Sequence, residues 1–156
     1  MRKRIIPTGQ PDPSPPDDDW LNPERLAQME LTSEEAAYPI ESALLPGGGS
    51  GWRAAGPGEQ TIRLLFAQPQ RLRRIWLQFI EPVTERTQEY VLRWSPDGGQ
   101  SYREIVRQQY NFNPGMTREL EDYTVELAGV TTLELVIKPE IGSGEARASV
   151  AQLRIA

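Results

Sequence analysis

The sequence predicts an all-β fold, an eight-stranded antiparallel sandwich preceded by a disordered N-terminal tail. Apolar and polar residues alternate with a period of two in short segments along most of the chain, and turn-forming residues separate those segments. The first 23 residues, by contrast, offer almost nothing to bury.

The tail comes first. From Pro7 to Pro23 the chain carries six prolines and the acidic run Asp17-Asp18-Asp19, with Trp20 and Leu21 as the only large apolar side chains. Such a composition cannot offset the entropy of ordering it, so residues 1–23 read as a solvated, partly polyproline segment and residues 24–156 as the folded domain. Pro13-Ser14-Pro15-Pro16 is the alternative, a proline-rich ligand for a partner domain. Met1-Arg2-Lys3-Arg4 resembles the start of a secretory signal, but Ile5-Ile6 is followed at once by Pro7 and polar residues, and no run approaches the ~20 apolar residues of a membrane span. The expected location is cytoplasmic, with no membrane span.

The strands follow in order. A short helix over Pro23 to Met29 would suit a proline in its first turn, while Ala27, Met29 and Leu31 also alternate as a strand does. Ile62, Leu64 and Phe66 form the next segment, then Ile75, Leu77 and Phe79, then Tyr90, Leu92 and Trp94. Tyr102 with Ile105, Tyr123 with Val125 and Leu127, Leu133 with Leu135 and Ile137, and Ala151 with Leu153 and Ile155 complete the eight. Ala67 to Gln70, Pro96 to Gln100 and Ala128 to Val130 read as tight turns, whereas Ser33 to Glu59, Glu81 to Gln88, Gln109 to Glu119 and Pro139 to Arg147 read as long loops. If every connection reverses the chain, this alternation gathers the long loops at one end of the sandwich, where binding loops belong.

Composition excludes several functions. A formal charge of −5, from 22 acidic and 17 basic side chains, disfavours nucleic acid as a partner, because such binding rests on neutralising phosphates. Arg71, Arg73 and Arg74 are the one dense basic cluster beyond the N-terminus, and a strand's alternate positions account for it. Without histidine or cysteine there are no parts for histidine-assisted triads, thiol nucleophiles, disulfides or common zinc sites. A carboxylate pair of the glycosidase kind is unconstrained among so many acids. Gly47-Gly48-Gly49-Ser50-Gly51 lacks the Gly-Lys-Ser/Thr of a phosphate loop. The domain is therefore expected to be non-enzymatic and to need no cofactor.

One stretch is more specific. Tyr90-Val91-Leu92-Arg93-Trp94-Ser95-Pro96-Asp97-Gly98, followed by Tyr102-Arg103-Glu104-Ile105, resembles the strand, Ser-x-Asp-Gly and aromatic hairpin of discoidin or coagulation-factor type C domains, which have the galactose-binding-domain-like jelly roll. Gly51-Trp52 ahead of the Thr61 to Phe66 strand, and the closing strands Thr132 to Pro139 and Ser149 to Ile155, fit the same pattern, so the resemblance covers about Leu26 to Ala156. It implies a carbohydrate, lipid or protein ligand held by loops at one end. It also implies, for many members, a structural calcium bound by oxygens of the first long loop and a glutamate of the last strand. Here that loop reads Leu45-Pro46-Gly47-Gly48-Gly49-Ser50-Gly51 and Gln152 stands where the glutamate would be, so no metal site is expected from side chains, and backbone carbonyls are the remaining source of ligands for a calcium ion.

The binding residues follow from loop chemistry. Tyr90, Trp94, Tyr102 and Tyr123 sit in strand registers and read as core, while Trp76 faces away from Ile75 and Leu77, toward a partner or a second buried side. Trp52-Arg53 and Tyr110-Asn111-Phe112-Asn113 fall in long loops, where a ring covers a sugar's C–H face and amide or guanidinium donors read its hydroxyls. Trp52, Arg53, Arg86, Tyr110, Asn111, Asn113 and Arg118 are the candidate ligand residues. Trp52 as a plug closing the sandwich end remains open. Two functions follow: a recognition module for a glycan, or a cytoplasmic module for protein interaction or assembly.

Overall fold

The computed structural model describes residues 1–3, 14–47, 49–142 and 144–156. The proline-rich stretch of the expected tail between 4 and 13, and Gly48 of the glycine loop, lie outside the described residues. Among the described residues eight strands carry the fold: β1 (Ala27–Leu31), β2 (Trp52–Pro57), β3 (Gln60–Ile80), β4 (Arg86–Ser95), β5 (Arg103–Phe112), β6 (Arg118–Lys138), β7 (Arg147–Val150) and β8 (Gln152–Ile155). Two one-turn helices join them, α1 (Pro23–Leu26) and α2 (Glu41–Leu44). Asn22 caps α1 by accepting the Glu24 amide at 3.1 Å with Pro23 in the first turn, and the helix stops at Leu26, so Met29 belongs to β1.

β3 and β6 are the long axis of the molecule. They pair antiparallel from Gln60↔Ile137 to Ile80↔Arg118, with register shifts between Leu65 and Arg74. The first half of β3 also pairs with β1 and its second half with β8, while β4 joins the second half of β6 and β5 joins β4. β2 and β7 form a separate pair. Each long strand thus serves both layers of the sandwich, bending at its bulges. Gly129, at φ 72°, marks the bend in β6. The expected tight turns at Ala67 to Gln70 and Ala128 to Val130 are corrected accordingly: both are irregular points inside continuous strands, and the chain does not reverse there. The alternation of long and short connections fails as a reason for gathering the loops.

The layers meet through the predicted periodicity. Ile62, Leu64, Ile75, Leu77, Phe79, Tyr90, Leu92, Leu133, Leu135, Ile137, Leu153 and Ile155 all enter one buried cluster, which Leu72 joins from outside the predicted segments. The Phe79 and Tyr90 rings, from facing layers, lie 5.0 Å apart. Trp76 points the other way along β3 and is only 2% exposed, so its strand is buried on both sides. In the Ser95-Pro96-Asp97-Gly98 hairpin, Asp97 accepts from the Ser95 and Ser101 hydroxyls and the Ser101 amide, which holds its carboxyl down to about 2.

Residues 14–22, which composition assigns to the tail, lie against the sandwich. Leu21 donates its amide to the Ile155 carbonyl at 2.8 Å, Asp18 pairs with Arg73 and Arg74, and the Arg74 guanidinium covers the Trp20 ring at 5.3 Å.

Candidate functional site

Three loops, 81–85, 113–117 and 139–146, share one end of the sandwich. The Glu81 amide donates to the Thr117 carbonyl at 2.8 Å, and the Ile141 amide to the Thr87 carbonyl at 2.9 Å. Beside them opens a cleft of about 630 Å³, whose walls include Tyr38, Trp52, Arg53, Val83, Thr84 and Arg147. That volume suits a small ligand.

Trp52 and Arg53 lie on β2, a strand within what the sequence presents as a long loop, and successive side chains of a strand point to opposite sides. Trp52 turns inward, is 1% exposed, and donates its indole N–H to the Ser33 carbonyl at 3.1 Å. It forms the floor of the cleft as a core residue. Arg53 turns outward, and its guanidinium lies 5.9 Å from the Tyr38 ring centre. The Arg53 amide and carbonyl bond to the Tyr38 carbonyl and Glu35 amide, fixing the 35–38 turn beside β2, and Arg147 pairs with Glu35 on the cleft's other flank.

Arg86 lies beneath the loops and is 5% exposed. It donates to Glu81 Oε1 at 2.8 Å, to Gln88 Oε1 at 3.1 Å and to the Pro139 carbonyl, and stacks 4.8 Å from the Phe112 ring. Burial works against the Glu81 charge, yet Arg86 and the Thr84 and Val83 amides hold that carboxyl below its ordinary value. Arg86 is thereby committed to pinning loops 81–85 and 139–146 together. Tyr110 packs edge-on against Phe112 at 5.0 Å and donates its hydroxyl to the Arg118 carbonyl at 2.7 Å. Asn111 accepts from the Thr87 hydroxyl at 2.7 Å, and Asn113 accepts the Gly115 amide at 2.9 Å within a tight turn. Arg118 is half-buried opposite Ile80. Of the candidate residues, Trp52 and Arg53 line the cleft; Arg86, Tyr110, Asn111, Asn113 and Arg118 do not. Tyr38, Thr84, Arg147 and Ser149, which do line it, were not candidates.

Between the layers lies a second cluster of polar groups. Glu119 is 1% exposed, and neither carboxyl oxygen has a well-aligned donor. Burial pushes its carboxyl up to about 7, the neighbouring Glu121 charge adds to the effect, and the Gln88 amide opposes it. Burial raises Glu121 as well, and the Tyr90 and Tyr123 hydroxyls bond to each other nearby. A glycosidase pair needs two separated carboxyls flanking an open cleft; these two share one strand face inside the sandwich. Among the described residues no group of three or more acidic, histidine or cysteine side chains could hold a metal ion.

Comparison with known proteins agrees with this architecture. No protein-family model and no curated protein matches the sequence. Among solved structures, the Ruminococcus gnavus GH29 fucosidase in complex with fucose is similar at a TM-score of 0.62 and 8% identity, over 84% of this chain and 25% of that one. The chain therefore spans about a quarter of that enzyme's length. The family 32 carbohydrate-binding module of Clostridium perfringens NanJ, in complex with galactose, is similar at 0.59 and 17% identity, over 86% of this chain and 96% of that one. A further Clostridium perfringens family 32 module, in complex with GalNAc-β-1,3-galactose, is similar at 0.56 and 17% identity, over 88% and 99%. Likeness at these identities defines a fold. It is the discoidin-like, galactose-binding-domain-like β-sandwich that the Tyr90 to Ile105 hairpin resembles.

Proposed function

We propose that this domain is a non-catalytic carbohydrate-binding module whose ligand occupies the cleft beside Tyr38 and Arg53. The observation that carries the reading is the pairing, at the loop end, of an aromatic ring with a guanidinium that has no carboxylate partner among the described residues, in a cleft of sugar size. Several similar structures are modules in complex with galactose, GalNAc-β-1,3-galactose or an unsaturated mannuronic acid, which points to a glycan as the class of ligand. The Glu119–Glu121 pair lies away from the cleft, which favours recognition over hydrolysis. A cysteine-free domain is indifferent to redox compartment, in keeping with the expected cytoplasmic location and equally with an external one.

A glycan array identifies the ligand, and isothermal titration then measures it. Tyr38→Ala and Arg53→Ala are each expected to weaken binding by about 1–3 kcal/mol while leaving the melting temperature nearly unchanged. Trp52→Ala is expected to cost about 3–5 kcal/mol of stability, because it empties a core position. Full binding by both cleft variants would remove the proposed site.

A second reading, a protein-interaction module, is favoured by the apolar tips of the same loops. Val83 is 84% exposed, Met116 48% and Ile141 43%, each on a different loop of that end. Replacing Met116 and Ile141 with serine, and leaving the cleft residue Val83 in place, separates the readings: loss of partner capture with glycan binding intact supports assembly, and unchanged partner capture removes that reading.

A further inference from the structure

Among the described residues two arginines are almost wholly buried, and they differ in what answers their charge. Arg86 faces the Glu81 carboxylate. Arg154, on β8 and 7% exposed, has no carboxylate partner among the described residues. Its guanidinium donates to the Leu44 carbonyl and, at 3.4 Å, to the Gln152 amide oxygen, both neutral acceptors. Burial alone lowers its pKa, the sign of a cation held out of water without a countercharge.

The position of that cation matters. Leu44 ends α2, where carbonyls have no partner within the helix. The glycine loop, 45–51, leaves from there and returns at Gly51, whose φ is 87° and where an added Cβ would lie 2.4 Å from the Val150 carbonyl. The far end of the loop is thus pressed onto the corner before β8, and the end of α2, from which the loop departs, is tied to β8 by Arg154. One positive group joins the carbonyl end of that helix to the last strand.

The fold family implies a calcium in this region, held by loop oxygens and a last-strand glutamate, but the residues present do not suit one. A hard dication wants six to eight oxygens, carboxylates among them. Residues 45–51 contain no acidic side chain, Gln152 supplies a neutral amide, and of the two carboxylates that line the same hollow as Gln152 and Arg154, Asp17 and Asp18, the second is paired with Arg73 and Arg74. The Leu44 carbonyl already accepts from a fixed positive charge that would repel a second cation. We infer that Arg154 stands in for the metal: its guanidinium is a built-in cation that clamps the end of α2, at the root of the glycine loop, to the last strand, so the domain is stable without a divalent ion.

The test is thermal melting and limited proteolysis of the full chain, with chelator and with millimolar calcium, on the natural sequence, Arg154→Met, Arg154→Lys and the double variant Gln152→Glu/Arg154→Ser. The natural protein should melt at the same temperature in both conditions. Arg154→Met should melt at least about 3 °C lower, be cut faster within 45–51, and not recover with calcium. Arg154→Lys, a point charge without the two-pronged reach, should fall between them and gives a reading even if the methionine variant does not fold. The double variant exchanges the fixed cation for a carboxylate and should acquire a melting temperature that rises with calcium. A natural protein destabilised by chelator, an Arg154→Met variant as stable and protease-resistant as the parent, or a double variant indifferent to calcium would each overturn the inference.

Discussion

Two glutamates on β6 are equally inaccessible and have opposite surroundings. Glu134 is 0% exposed and Glu119 1%. Glu134 lies on the outward side of the sheet, between Arg63 and Arg93 on the neighbouring strands, whose Nε atoms donate to its two oxygens at 2.7 and 2.8 Å. The long side chains of those arginines, with Tyr102 stacked 5.0 Å from Arg93, close over it. Glu119 lies on the inward side opposite Phe79, with no well-aligned donor and with Glu121 as an acidic neighbour. Depth is therefore not what decides the state of a buried carboxylate. The donors do: an outer sheet face can hide a charge and satisfy it, while the interior can hide one and leave it wanting.

The strongest way to break the contrast is to make Glu134 resemble Glu119. Replacing both arginines, Arg63→Met with Arg93→Met, keeps much of the covering bulk and removes every charged donor. Stability at pH 7 should fall by about 3–5 kcal/mol, the range for leaving a buried charge unpaired. Urea unfolding measures it. A loss below about 1 kcal/mol would mean that the triplet contributes no more than an exposed ion pair.

The next largest effect runs the other way. Because Glu119 titrates at about 7 in the folded protein against an ordinary 4.5, the folded state keeps a proton that the unfolded chain has released. Its contribution to stability therefore falls as pH rises from about 4.5 to about 7 and is flat above that; the raised Glu121 acts in the same sense. Glu119→Gln, which resembles the protonated form, should raise stability at pH 8 by roughly 1–3 kcal/mol and change little at pH 4. Equal destabilisation at both pH values would show that the ionised carboxylate has donors after all.

The same pair of glutamates shows how far the sequence could be read. Period-two alternation located the core of nearly every strand, because Leu, Ile and aromatic residues at alternate positions have one physical use. Alternation also runs through Glu119 and Glu121 into Tyr123, Val125 and Leu127, but carboxylates at inward positions look like loop, so the apolar pattern marks β6 only from Tyr123. Arg86 was hidden in the same way, a charged residue at a buried position. Pro69 read as a turn, although the chain passes it through bulges without reversing. β2 was missed because Trp52-Arg53-Ala54-Ala55-Gly56-Pro57 has only Trp52 and Ala54 to bury, and without that strand Trp52 looked like a loop anchor. In-phase spacing of Trp52 and Ala54 was the one available signal. Tyr38 had none, since only the pairing of its turn with Arg53 brings it to the cleft.

The smallest effect sharpens the comparison most, because it separates the two reasons that Glu119 is raised. Burial ranks first among those causes and the Glu121 charge second. Glu121→Gln removes the charge and leaves the burial, so the Glu119 carboxyl should titrate lower than in the parent yet remain well above 4.5, as followed by carbon NMR of the labelled full chain. The change in stability should be under about 1 kcal/mol, since Glu121 is itself only half-buried. A midpoint that returns to the ordinary value would make like-charge repulsion the controlling influence, and Glu119 would then differ from Glu134 by its neighbour alone. An unmoved midpoint would make burial without donors the whole of the difference, with Glu119 set apart from Glu134 by the arginines that it lacks.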